Sequence, residues 1–247
     1  MSAQAPSPLN ARLQAVHERI ERAALHAGRD PAEVALLAVA KRKTAAEVVA
    51  GVRAGLSEIA ENYAQEALAK IPEVRQQLGP AAGPRWHFVG RLQRNKARQV
   101  VEHFDVLHTL DRAALGDALE RRAAEAGRRL DVFVQVDLCG EPQKGGAAPE
   151  ALPALLETSL GWPHLDVRGL MTLPAETRNP EDSRPAFARL RALRDELRPL
   201  PGGASLDELS MGMSADFEVA IQEGATIIRV GSALFGPRDD PGPGRAA

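Results

Sequence analysis

Cysteine is almost absent from this chain: Cys139 is the only one. That excludes an internal disulfide and any zinc or iron–sulfur centre built from several thiolates. Aromatic residues are scarce, and Tyr63 is the single tyrosine. No charge of one sign is in surplus. The 31 Lys and Arg stand against 33 Asp and Glu, a formal net charge of −2, which argues against a general electrostatic role on nucleic acid or membrane surfaces. No apolar run approaches the roughly 18 residues of a membrane span. The opening MSAQAPSPLN lacks the cationic and apolar blocks of a signal peptide, so a cytoplasmic location is expected. What remains is 247 residues of ordinary composition, enough for one large domain or two small ones.

Those residues alternate in pattern. A helical lead (Leu13, Val16, Ile20, Ala24) is stopped by Gly28. Apolar or β-rich runs of strand length then recur at 35–41, 57–63, 86–90, 104–110, 131–138, 167–173, 208–213 and 226–231. Between them lie helical periodicities; one opens on the capping-box pair Thr44 and Glu47, and another is expected to open on Ser214 and end at Gly224. Continuous apolar runs suit strands buried on both faces, as in a parallel sheet. Eight such units predict an α/β protein of the (β/α)8 barrel class with an extra N-terminal helix. A doubly wound open sheet is the alternative. The expected organisation is a flexible segment at 1–8, one barrel domain over 9–236 and a flexible Pro/Gly-rich tail at 237–247.

Barrel chemistry gathers at the C-terminal ends of the strands. The first strand ends in Lys41; partial desolvation there would free its amine as a nucleophile. Taken alone, Lys41 reads better as a surface lysine just past the strand, with Lys43 its equal. The second strand ends in Asn62 and Tyr63. His87 lies in the third strand and His108 in the fourth, where a lone histidine is more often a hydrogen-bonded core residue than a catalyst. The last two strands run into SMGMSADFE and RVGSALFG, placing Ser214 after one glycine turn and Arg229, Gly231 and Ser232 around a second. Glycine turns and helix starts after the seventh and eighth strands are a common barrel phosphate cup, although both also read as plain helix caps. A reactive lysine, a phosphate cup and an arginine between them together suit pyridoxal 5′-phosphate (PLP). An arginine is always cationic, so it disfavours protonation of the ring nitrogen it faces.

The blocks LLAVAKRKTAAEVVAG, EIAENYAQEALAKI, WHFVGRLQRNK, VRGLMTL and LSMGMSADFEVAIQEGATIIRVGSALFG resemble, in order, the motifs of the PLP homeostasis protein family. Those proteins in turn resemble the barrel domain of alanine racemase. The resemblance implies Lys41 as the Schiff-base lysine and Arg229 beside the pyridine nitrogen. It places Ser214, Gly231 and Ser232 around the phosphate, Asn62 near the cofactor, and Met211 and Gly212 along the site. It implies a PLP carrier with little or no turnover, a monomer, with apo PLP-dependent enzymes as recipients and no nucleic acid or membrane partner. Ala40, Thr44 and Arg91 depart from the usual family pattern. An amino-acid racemase is the alternative. Two-base racemisation needs a base opposite the lysine, and Tyr63 leaves no spare tyrosine for it. A Schiff-base aldolase would share the lysine and the cup but not the ordered motifs.

Overall fold

The computed structural model describes residues 7–79, 83–141 and 143–236. Positions 1–6 and 237–247, expected as flexible ends, lie outside the described residues. Ser7 and Pro8 do not. The Ser7 hydroxyl accepts from the Asn10 N–H at 3.2 Å and Pro8 takes the first helical position, a pairing that starts helices. Helix α1 (Pro8–His26) therefore begins one residue earlier than its apolar periodicity indicates.

The eight apolar runs become strands β1 (Ala35–Val39), β2 (Glu58–Glu61), β3 (Arg85–Phe88), β4 (Val106–Leu110), β5 (Leu130–Val136), β6 (Leu165–Thr172), β7 (Glu208–Met213) and β8 (Ile227–Val230). All neighbours are parallel, and β1 pairs with β8 to close the barrel. The helices between them are α2 (Ala45–Arg53), α3 (Ala64–Leu78), α4 (Ala97–His103), α5 (Ala113–Ala126), α6 (Leu152–Ser159), α7 (Arg184–Leu197), α8 (Phe217–Gln222) and α9 (Ser232–Phe235). The expected (β/α)8 barrel with an N-terminal helix is the observed architecture. Thr44 and Glu47 form the expected capping box on α2.

Side chains on a strand alternate between faces, so the strands feed two cores. Ala38, Ile59, Leu107, Val132, Leu170 and Ile228 pack outward under the helices. Leu37, Ala60, Val106, Phe133, Met171 and Ile227 fill the barrel interior. Burying each of the larger side chains contributes about 2 kcal/mol. The inward rows also carry Glu58, His87, His108, Ser210 and Arg229, so the interior is polar along one path. Helix α1 packs on α8 and α9. Arg19 fixes it there, giving two hydrogen bonds to Glu218 at 2.6 and 2.9 Å while its guanidinium lies over the Phe217 ring.

Among the described residues, no helix is long and apolar enough to cross a membrane.

Candidate functional site

The inward rows converge on the C-terminal mouth of the barrel. On β1 the inward residues are Leu37 and Val39, and the next position in that row is Lys41. The strand itself stops at Val39, two residues short of the expected end, so Lys41 sits in the following turn and is partly buried. Lys43 is occupied elsewhere, paired with Glu47 at 3.2 Å. On β8 the inward row runs Ile227, Arg229, Gly231. Because Ala38 pairs with Val230 in register, the Lys41 turn and the Gly231 turn are neighbours at the barrel rim. On β2 the inward row is Glu58, Ala60, Asn62. Asn62 Oδ1 is buried with no hydrogen-bond partner.

Arg229 is buried, and two of its donors are committed. Nη1 donates to Ser210 Oγ at 2.8 Å and Nη2 to the Thr172 carbonyl at 2.8 Å. Desolvation pushes its pKa down to about 10, opposed by Asp216. The guanidinium therefore stays charged at neutral pH, at a fixed place inside the mouth.

Ser214 departs from its expected role. It does not cap the following helix. The Asp216 carboxylate accepts from the Met213 N–H at 2.7 Å, and the Asp216 N–H donates to the Met213 carbonyl at 3.1 Å. That closed turn delays α8 to Phe217, with Asp216 at its N-cap. Gly212, at φ 88°, supplies the left-handed kink that leads into it. Ser214 instead reaches across to the β8 turn, where its Oγ accepts from the backbone N–H groups of Gly231 at 3.2 Å and Ala233 at 3.5 Å. An oxygen acceptor thus already lies against two backbone donors at the rim, a donor set that suits an anionic oxygen. Ser232, the first residue of α9, is exposed. Met211 alternates outward with Leu209 and packs in the strand–helix core, so its side chain turns away from the inward row.

A clamp that the sequence did not reveal holds the Lys41 turn. Lys70 on α3 is buried beneath it, and its Nζ donates to the Ala40 carbonyl at 2.9 Å, Glu61 Oε1 at 2.6 Å and Glu66 Oε1 at 2.8 Å. The same Glu66 oxygen accepts the Arg42 N–H. Arg42 has φ 60°, a left-handed conformation that a non-glycine residue adopts at a cost. The clamp therefore grips the turn on both sides of Lys41. Glu66 and Lys70 alone read as an ordinary i,i+4 surface pair, and only the fold brings Glu61 and Ala40 to them.

Glu61 is fully buried and its Oε2 has no partner. Burial pushes its pKa up to about 7, against the opposing pull of Lys70. The folded chain thus holds a proton that the unfolded chain, titrating at 4.5, has lost. The stability this proton contributes is complete below the unfolded value and disappears as pH rises through the folded one. Glu61→Gln should flatten the pH dependence of stability by up to about 3 kcal/mol between about pH 5 and 8. Urea denaturation of both proteins at the two ends checks this; identical slopes would contradict it.

Comparison with known proteins shows the family and the fold. The family model "Alanine racemase, N-terminal domain" matches residues 11–239. A pyridoxal phosphate homeostasis protein of Pseudomonas aeruginosa is 46% identical over 224 residues, covering 91% of this chain and 93% of that protein. One from Aquifex aeolicus is 43% identical over 227 residues, covering 92% and 97%. The structure of PipY from Synechococcus elongatus with PLP bound matches at a TM-score of 0.80 and 36% identity, covering 92% of this chain and 100% of that one. Alanine racemase from Corynebacterium glutamicum, at 18% identity and a TM-score of 0.62 over 93% of this chain and 63% of its own, shares the fold. The chain belongs to the pyridoxal phosphate homeostasis protein family, built on the alanine racemase N-terminal domain.

Proposed function

We propose that this protein binds PLP at the barrel mouth, covalently through Lys41, and serves PLP homeostasis as a carrier with little or no turnover. The observation that carries the reading is the convergence at one rim of three features: the clamped Lys41 turn, the buried cationic Arg229, and the Gly231 turn with its backbone donors. The unpartnered Asn62 Oδ1 adds a buried acceptor to the same mouth. These residues fit the cofactor. When bound, PLP supplies an aldehyde that condenses with a lysine amine and an electron-withdrawing pyridine ring.

The protein's own residues divide that work. Lys41 presents the amine. Arg229 faces the ring nitrogen as a donor that cannot give up its charge, which keeps that nitrogen unprotonated and the ring a weaker electron sink. Ser214, Gly231 and Ser232 surround the phosphate with hydroxyl and backbone donors. Asn62 sits near the cofactor as an acceptor. The weak sink and the lack of a second tyrosine beside Tyr63, itself half exposed at the start of α3, favour holding the cofactor over turning substrate over. A monomer that passes PLP to apo-enzymes is the form this role takes.

Titration with PLP, followed by visible absorption, tests the reading: saturation near one equivalent supports it, and absence of any bound chromophore overturns it. Racemisation of alanine at ordinary enzyme rates would overturn the carrier half alone. Arg229→Glu should change the absorption spectrum of the bound cofactor, because a carboxylate favours a protonated ring nitrogen. An unchanged spectrum counts against the role given to Arg229.

A further inference from the structure

A line of hydrogen bonds crosses the barrel interior behind Arg229. Arg229 Nη1 lies 2.8 Å from Ser210 Oγ, Ser210 Oγ lies 2.9 Å from His108 Nδ1, and His108 Nε2 lies 2.8 Å from His87 Nδ1. His87 Nε2 then meets Glu58 Oε2. Arg229, Ser210, His108 and His87 are buried. Glu58 lines a cavity of about 420 Å³ at the opposite end of the barrel, beside Arg85 and Glu208.

One arrangement satisfies every bond with a single proton on each ring. A guanidinium only donates and a carboxylate only accepts. In that arrangement, Ser210 Oγ accepts from Arg229 and gives its own proton to His108 Nδ1. His108 then carries its proton on Nε2 and donates it to His87 Nδ1. His87 carries its proton on Nε2 and donates it to Glu58. In this arrangement each ring carries one proton, on Nε2. With one proton on each ring, the other tautomer at His108 sets two acceptors face to face in a dry interior, where an unmade bond is costly. Phe133 stacks on the His108 ring at 4.5 Å and 14°, which fixes the plane in which these bonds form. Burial above all, and the nearby cationic Arg229, push the His108 pKa well below the usual histidine range.

We propose that His108, backed by His87 and Glu58, is a positioning residue for the ring end of the PLP site: it takes the Ser210 hydroxyl proton, so that Ser210 meets Arg229 as an acceptor and holds the guanidinium in one orientation. This rests on the PLP reading above. No residue of the line other than Arg229 faces the cofactor.

Two experiments test it. In cofactor-free protein labelled with 15N-histidine, long-range 1H–15N spectra at neutral pH should show His108 and His87 as neutral Nε2–H tautomers. A cationic His108, or one protonated on Nδ1, overturns the proposal whatever the protein binds. In protein mixed with PLP, Ser210→Ala and His108→Leu should shift the visible spectrum and release cofactor about tenfold faster. His108→Asn, whose Oδ1 stands where Nδ1 was, should keep the native spectrum. If the native protein binds PLP but the Leu and Asn variants share one spectrum, the positioning role falls and the PLP reading stands. If the native protein binds no PLP, both fall.

Discussion

Lys70→Met should cost about 3–5 kcal/mol of folding stability, the usual effect of removing one partner from a buried ion pair. The side chain is 5% exposed and its ammonium makes three bonds, to the Ala40 carbonyl, Glu61 and Glu66. Methionine fills the space but leaves two carboxyl groups facing each other with no cation between them. Glu61 fares worst, since its other oxygen already lacks a partner. Without the ammonium's pull it would have to keep its proton to still higher pH to stay buried. The variant should also bind PLP more weakly, because the clamp holds the backbone on both sides of Lys41. Adding Glu61→Gln to Lys70→Met should recover part of the stability, since it removes the stranded charge. Urea denaturation with a PLP titration checks both effects. A loss below about 1 kcal/mol would place Lys70 with ordinary surface pairs and contradict the clamp.

Lys41→Ala should abolish covalent capture of PLP while leaving the fold intact. Lys41 lies beyond the end of β1 and outside both apolar cores, so truncating it should change stability by no more than about 0.5 kcal/mol. The phosphate donors and Arg229 remain, so residual reversible binding is expected. Borohydride should fix no cofactor mass in the variant. Lys43→Ala is the control: Lys43 is paired with Glu47, and its loss should leave capture unchanged. Capture that survives Lys41→Ala but fails in Lys43→Ala would reassign the amine.

The barrel was legible in the sequence because eight apolar runs alternate with helical periodicities, and all eight became strands. The rim was largely legible as well, because barrel loops after the last strands recur as anion sites and because Lys41 and Arg229 lie on or next to inward rows. Four features were not. Ser214 reads as a helix cap until the Asp216 turn takes the N-cap position. Met211 reads as site-lining until strand alternation sends it outward. The clamp and the histidine line join residues on different strands and helices, such as Lys70 with Ala40 and Ser210 with His108. No local pattern records those meetings; the barrel's closure and register create them.

The most direct test of the central claim is peptide mapping of the native protein after PLP loading and borohydride reduction. Reduction should abolish a visible absorption band and fix the cofactor's mass on the peptide carrying Lys41. Colourless protein, or mass fixed at another lysine with Lys41 unmodified, would contradict it.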